Sequence, residues 1–164
     1  MENGVGVAVV FQDHVAMVRL PDFTSIFTAE AVVISFALDL IKSRPIHKAV
    51  ILSDSLSTLR SIENLSTPSE IIRKIYNQLN DLTQSGQSTS LIWIQNFSHN
   101  QILGNERADE KARQVITSPE AIRLNCFTLN DAKSITKTIS NIIWLQEWKQ
   151  GASKLNEIKN TIHT

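Results

Sequence analysis

The chain has 164 residues, and 42% of them are hydrophobic, which predicts one folded domain with a sizeable core and at most a tail. Its 16 basic and 16 acidic residues cancel, which argues against strong stand-alone binding of nucleic acid through an overall positive field. The single cysteine, Cys126, excludes an internal disulfide and a zinc site, and fits a reducing compartment. The chain has neither an apolar run of membrane-spanning length nor a signal-peptide pattern. We therefore expect a soluble intracellular protein, cytoplasmic or nuclear, with no membrane partner.

Two β-branched runs at the start of the chain predict an antiparallel hairpin. They are Val5–Phe11 and His14–Leu20, separated by two polar residues. Gly4 and Gly6 alternate with valine but do not form a GxGxxG loop. Glycine within a strand more often marks a bulge or a close approach of another backbone.

The rest of the chain alternates helices with strands, which predicts a layered α/β fold. Apolar residues surround most of the first helix, so this helix is predicted to be largely buried. The AVIL segment of the next strand does not alternate, which predicts parallel pairing and coverage on both faces. The elements predicted for this part of the chain are a helix over about 25–43, a strand over 48–53, a short helix after 54, a helix from about 67 to 85, a strand over 90–95, a helix opening at 105, and a helical pattern over 131–150.

Three acids and one histidine occupy positions that suit a single metal-dependent site. Glu30 lies at the start of an apolar helix, Asp54 ends a strand-like run, and Asp109 lies one turn into a helix. His99 lies in a polar loop with Gly104 behind it. Metal-assisted phosphodiester cleavage needs two divalent cations roughly 3.5–4 Å apart. Magnesium prefers carboxylate oxygens, and open α/β sheets hold their ligands at the carboxyl ends of the strands.

Each of these residues also has a structural interpretation. An acid near a helix start, such as Glu30, often complements the helix dipole, and Asp54 followed by Ser55 can be a helix N-cap. Asp109 can be a surface charge, and His99 can be a solvated loop residue. It is their joint order that favours a catalytic site.

The order Glu, Asp, His, Asp resembles the ribonuclease H family over nearly the whole chain. The segments FTAEA, ILSDS and HNQILGNERADEKA resemble the motifs that carry the family's Glu, its second Asp, and its His with the last Asp. This resemblance implies a ribonuclease H-like fold, with a mixed β-sheet flanked by helices. It also implies hydrolysis of the RNA strand of RNA–DNA hybrids with two Mg²⁺ or Mn²⁺ ions. By the same resemblance, Glu30, Asp54 and Asp109 would be metal ligands, and His99 would be a mobile general acid/base.

The resemblance further implies that the hybrid is read through its 2′-hydroxyl groups, which DNA lacks. Three polar residues near the acids are the predicted contacts. They are Thr28, Ser55 and Asn105. For each of them helix capping is the alternative interpretation.

More narrowly, the chain resembles the ribonuclease H domain at the end of non-LTR retrotransposon polyproteins. The segment LPDFTSIFTAEA resembles that group's approach to its first helix, and the tail resembles its C-terminal extension, including IWLQEWKQ. This implies an upstream reverse transcriptase domain as a partner. We expect a ribonuclease H-like domain over 1–118 and a helical extension over 119–164 that packs on a neighbour without a catalytic role.

Two departures from the family pattern bear on activity. The family's first catalytic Asp lies on a first strand that ends in a segment such as Thr-Asp-Gly-Ser, whereas this sequence opens at Met1-Glu2-Asn3-Gly4. We therefore expect the first strand to be missing, magnesium to bind weakly, and hybrid cleavage to be slow or absent. In addition, Gln95-Asn96-Phe97-Ser98 stands where the family has Trp-Val-Pro-Gly before the histidine.

Two other functions remain open at the level of sequence. One is a catalytically silent domain that binds hybrid or packs against a reverse transcriptase. The other is a related phosphotransferase, such as a transposase or integrase. Members of that class usually end their acidic set with a glutamate, whereas this chain has Asp109 in the matching position.

Overall fold

A computed structural model describes residues 4–12, 14–64, 69–95 and 103–150, apart from the side chain of Leu103. Within these ranges helices and strands alternate much as the sequence pattern predicts. In chain order the elements are β1 (Val5–Phe11), β2 (His14–Leu20), α1 (Ile26–Lys42), β3 (Lys48–Ser53), α2 (Leu56–Glu63), α3 (Glu70–Gln84), β4 (Ser88–Trp93), α4 (Leu103–Gln114), β5 (Ile122–Arg123) and α5 (Leu129–Gln150).

The described strands form two sheets. β1 and β2 make the predicted hairpin with the predicted bounds, and β5 pairs in parallel with the outer edge of β2. β3 and β4 pair in parallel along their whole length. The architecture is that of a ribonuclease H-like fold, a mixed α/β arrangement flanked by helices, as predicted. Among the described residues no strand joins β1 to β3, so the sheet is divided there.

Helix α1 forms the centre of the core, as its all-round apolar pattern predicts. Ser25 is its N-cap, and the Thr28 backbone N–H donates to Ser25 Oγ at 3.2 Å. Burying one large aliphatic side chain contributes about 1.5–3 kcal/mol, and this helix buries several of them. Those with an exposed fraction of 7% or less are Val32, Ile34, Leu38 and Ile41. This packing makes α1 a rigid platform for the polar residue it carries, Glu30.

Strand β3 confirms the predicted parallel pairing, but the predicted coverage on both faces is wrong. Ala49 and Ile51 pack against the core, whereas Val50 is 59% exposed and Leu52 is 49% exposed. The exposed side chains lie on the sheet face opposite α1, because side chains alternate along a strand. On that face α4 packs mainly on β1 and β2.

Strand β4 begins two residues earlier than predicted. Gly86 adopts a positive φ of 77° just after α3, a conformation that few other residues tolerate. Gln87 follows, and its Nε2 donates to the carbonyls of Ile41, Arg44 and Ile46 at 3.2, 3.3 and 2.9 Å. These bonds fix the turn between α1 and β3 next to the start of β4.

The predicted close backbone approach at glycine is present at Gly6. A Cβ atom at this position would clash with the carbonyl oxygen of Ala112 and would lie 2.9 Å from Val115 Cβ. Glycine therefore allows α4 to pack directly on β1. This contact holds α4, and with it Asp109, against the hairpin.

The chain divides into two compact units, residues 1–128 and residues 129–164. β5 belongs to the first unit, as does Phe127, whose ring lies edge-on to Phe23 with 5.2 Å between centroids. The described part of the second unit is α5, where the rings of Trp144 and Trp148 lie 5.7 Å apart. No helix in the described ranges has the length and apolarity needed to cross a membrane.

Candidate active site at the carboxyl end of β3

Glu30 is the fifth residue of α1, beyond the first turn. Ser25 already caps this helix, so a capping role does not explain Glu30. The neighbours Ala29 and Ala31 are buried, with exposed fractions of 3% and 0%, and Glu30 itself is partly buried. Its carboxyl group thus lies at the edge of the core.

Asp54 follows β3 directly, and the helix N-cap after it is Ser55. Trp93, the last residue of the parallel partner strand, donates its indole N–H to the Asp54 carbonyl at 3.2 Å. The Asp54 backbone is thereby anchored to the carboxyl ends of both β3 and β4, where ligands of α/β sheets bind.

Asp109 reaches the same region from α4. The close packing of α4 on Gly6 positions this helix, and Arg107 Nη1 donates to the Gln12 carbonyl at 3.1 Å near the tip of the hairpin. Asp109 is partly buried. The three acids therefore come from three different elements.

The electrostatics of the three carboxyl groups show that they are neighbours. Burial raises the pKa of Glu30 to about 6, and the charges of Asp54 and Asp109 add to the effect. Burial likewise raises the pKa of Asp109, with a further contribution from Asp54 and an opposing one from Arg113. All three acids line one cavity of about 410 Å³. Mutual repulsion of this kind is common where carboxylates share a functional site.

The chemistry of this set suits a hard divalent cation. Magnesium takes carboxylate oxygens and keeps several of its waters, so it does not need a closed protein cage. Among the described residues, however, no group of three or more His, Cys, Asp or Glu side chains is arranged so that it could hold a metal ion directly.

Comparison with known families supplies the wider context. The model of the reverse transcriptase-like family, which describes a ribonuclease H-like domain, matches residues 4–102, more than half of the chain. The chain belongs to this family. No curated protein shows significant sequence similarity to it. The family places this ribonuclease H-like domain in a retroelement context and indicates nuclease activity in general terms.

The range matched by the family model contains only part of the predicted site. It includes Glu30, Asp54 and His99 but ends before Asp109. His99 lies outside the described residues. Asp109 joins the other acids in the structure, since it lines the same cavity and the charge of Asp54 helps to raise its pKa.

The three predicted substrate contacts lie in different surroundings. Thr28 is 1% exposed, and its hydroxyl accepts from Ser25 Oγ at 3.0 Å, which favours the capping interpretation. Ser55 is partly exposed, and its hydroxyl lies 2.8 Å from that of Thr58. Asn105 is partly exposed and lines the same cavity as the acids. Asn105 is thus the best placed of the three to meet a ligand.

The sequence did not indicate that the cavity has a basic end. Arg44 and Lys48 line it as well, and Arg44 lies over the Phe11 ring, 5.1 Å from the centroid. Fourteen residues of chain separate Glu30 from Arg44, which corresponds to roughly 20 Å along a helix. Their signal in the sequence was position alone, with Arg44 in the turn after α1 and Lys48 at the start of β3.

Proposed function

We propose that this domain hydrolyses the RNA strand of RNA–DNA hybrids with Mg²⁺ or Mn²⁺, as part of a retroelement polyprotein that also contains a reverse transcriptase. The observation that carries the proposal is the convergence of Glu30, Asp54 and Asp109, from three elements, on one cavity, where burial and the charge of Asp54 raise the pKa of both Glu30 and Asp109. The family match in a retroelement context supports a nucleic acid substrate.

In this proposal the three carboxylates would hold the cations, and bound cations would supply an activated water and stabilise the leaving oxygen. The backbone of Asp54 is held at the carboxyl ends of β3 and β4, since the Trp93 indole N–H donates to its carbonyl. Glu30, whose pKa burial raises to about 6, is partly protonated in mildly acidic solution and would have to lose that proton to serve as a ligand. His99, by its resemblance to the family histidine, acts as the mobile acid/base.

Substrate binding in this proposal is mainly electrostatic, through phosphates, and weakens steeply with salt. Asn105 and Ser55 contact 2′-hydroxyl groups near the acids. The burial of Thr28 supports a structural role for that residue. Full activity requires a fourth carboxylate, carried on a strand between β1 and β3, because three acids position the cations incompletely.

The test is a pair of measurements on a protein extended by an N-terminal strand that ends in Thr-Asp-Gly-Ser. We expect the extension to raise hybrid cleavage by orders of magnitude over the 164-residue chain. In the extended protein, Asp54→Asn should lower cleavage by at least about 100-fold, because it removes a metal ligand at constant shape. Hybrid affinity, measured by gel shift with calcium in place of magnesium, should change little.

The matched control is Asp81→Asn on α3, which makes the same chemical change at an exposed ion pair with Lys42. We expect this variant to cleave normally. Normal cleavage by Asp54→Asn would show that Asp54 is structural and that the proposed site is wrong. Equal cleavage by the extended and the unextended chain would refute the need for a fourth carboxylate.

A second candidate is a catalytically silent domain that binds hybrid or packs against the reverse transcriptase. The observation in its favour is that no three acids of the described residues are arranged to hold a metal ion directly. The same experiment separates the two functions. A silent domain, even when extended, would bind hybrid without cleaving it.

A further inference from the structure

The main-chain torsions of Asp54 set the direction of its carboxylate, and hydrogen bonds hold the peptide groups on both sides of it. Before Asp54, the Ser53 carbonyl accepts from Ile94 N at 2.9 Å. After Asp54, the backbone N–H of Ser55 donates to Ser53 Oγ at 3.2 Å. The carbonyl of Asp54 itself accepts from Leu56 N at 3.0 Å. Asp54 thus stands between two peptide groups whose orientations are fixed.

The peptide group after Asp54 is also held by a side chain from the neighbouring strand. The indole N–H of Trp93 donates to the Asp54 carbonyl at 3.2 Å, across 39 residues of sequence. The bonds from Ser55 and Leu56 are local, so they move together with the turn that they stabilise. The bond from Trp93 ties this turn to the end of β4. It therefore fixes the position of Asp54 relative to the sheet.

The strand register explains how Trp93 reaches this carbonyl. Trp93 is the register partner of Ser53 in the parallel pair of β3 and β4, so the two side chains lie on the same face of the sheet. Ser53 is small and buried, and the indole reaches past it to the next residue of the turn. Trp93 remains 41% exposed. Its hydrogen bond therefore accounts for an indole at this position better than core packing does.

Asp54 is the acid to which both other acids of the site respond. Burial raises the pKa of Glu30 and of Asp109, and the charge of Asp54 is the second cause at each of them. Asp54 also lines the same cavity as Glu30 and Asp109. A change in the direction of the Asp54 carboxylate would therefore alter its spacing from both partners.

We propose that Trp93 is a positioning residue for a divalent cation, because its bond to the Asp54 carbonyl directs the Asp54 carboxylate toward Glu30 and Asp109. This inference rests on the proposed function, in which Asp54 would be a metal ligand. Trp93 would act through the main chain of a ligand rather than as a ligand itself. Loss of an outer partner of a metal ligand typically costs about 10–100-fold in metal affinity. Since this bond holds the main chain, we expect an effect at the lower end of that range.

The first test measures the affinity of the 164-residue protein for Mn²⁺, from the electron paramagnetic resonance signal of the free ion. Trp93→Phe keeps an aromatic ring but removes the N–H donor, and it should weaken Mn²⁺ binding about tenfold. Asp54→Asn keeps the carbonyl that accepts from Trp93 but removes the carboxylate, and it should weaken binding at least as much. Trp144→Phe on α5 is the matched control and should bind Mn²⁺ like the parent chain.

The second test follows the indole N–H resonances of the parent chain by nuclear magnetic resonance as Mg²⁺ is added. We expect the Trp93 resonance to shift and that of Trp144 to stay in place. In Asp54→Asn without Mg²⁺, the Trp93 resonance should keep its position, because the accepting carbonyl is still present. Added Mg²⁺ should no longer move it. A tryptophan with a merely structural role would not show this dependence on the Asp54 carboxylate.

The outcomes separate this inference from the proposed function. If Asp54→Asn loses Mn²⁺ affinity and Trp93→Phe keeps it, the inference is wrong and the proposed function stands. If the parent chain and Asp54→Asn bind Mn²⁺ equally, or neither binds it, both are wrong. Circular dichroism shows whether Trp93→Phe folds. If it does not, the parent resonance decides, and a Trp93 signal that ignores Mg²⁺ would overturn the inference.

Discussion

Among single residues, Glu30 is the acid whose burial most clearly raises the pKa of its carboxyl group. Burial raises its pKa in the folded protein to about 6, against an ordinary value of 4.5. Because the folded pKa is the higher one, the stability that this group contributes is fully present below about pH 4.5 and is lost as the pH rises through 6. Near neutral pH the ionised carboxylate therefore destabilises the fold.

Glu30→Gln should raise the free energy of unfolding at pH 7 by about 1 kcal/mol, a value reduced to allow for the partial exposure of the group. The gain over the parent chain should shrink as the pH falls from 7 to 4.5. Urea unfolding across this range measures it. Glu63→Gln, at an exposed position at the end of α2, is the control and should change stability little at any pH. A pH-independent effect of Glu30→Gln would contradict the burial of this charge.

Gly6 is the second residue with a specific energetic role. Gly6→Ala forces a methyl group against the Ala112 carbonyl, so the backbones of β1 and α4 must separate. We expect a loss of about 1–3 kcal/mol in thermal or urea unfolding. Gly104→Ala, within α4 with no atom in the way, should instead stabilise by about 0.5–1 kcal/mol. Equal effects at the two glycines would be inconsistent with the close packing of α4 on β1.

At the scale of elements, one side chain links the end of α1, the start of β3 and the start of β4. Gln87→Ala removes the donor to three carbonyls, one in the last turn of α1 and two in the segment between α1 and β3. We expect a loss of about 1–2 kcal/mol, together with faster amide exchange at the first residues of β3. Gln84→Ala, at an exposed position of α3, makes the same chemical change and should be nearly neutral. Unchanged exchange in β3 would show that the turn does not depend on Gln87.

At the scale of the whole molecule, the position of the domain boundary can be tested by truncation. A chain ending at Ser118 lacks β5, which pairs with β2, and Phe127, which packs on Phe23. A chain ending at Thr128 keeps both. We expect the shorter chain to be less stable by about 3 kcal/mol or more, since it loses a packed aromatic side chain and the β2–β5 pairing. Equal melting temperatures would support the boundary after residue 118 that the sequence predicts.

The sequence pattern was most informative where local physics decides the structure. Alternation and β-branching predicted the hairpin, and the all-round apolar pattern predicted the burial of α1. The exposure of Val50 could not be predicted in this way, because an apolar strand sequence predicts burial whether or not another element covers both faces of the strand. β5 has two residues, too few for any periodicity. The convergence of the acids followed from the family resemblance rather than from spacing.

The divided sheet also has a consequence for the order of folding. The β1–β2 hairpin joins residues close in sequence, whereas β3 must wait for β4, some forty residues further along the chain. Loop closure over long stretches is slow, so the hairpin is expected to form first. α1 packs on both halves and lies between them in the chain. It therefore aligns the two halves of the sheet as they form. In the transition state of folding, α1 should be more fully structured than the parallel pair of β3 and β4.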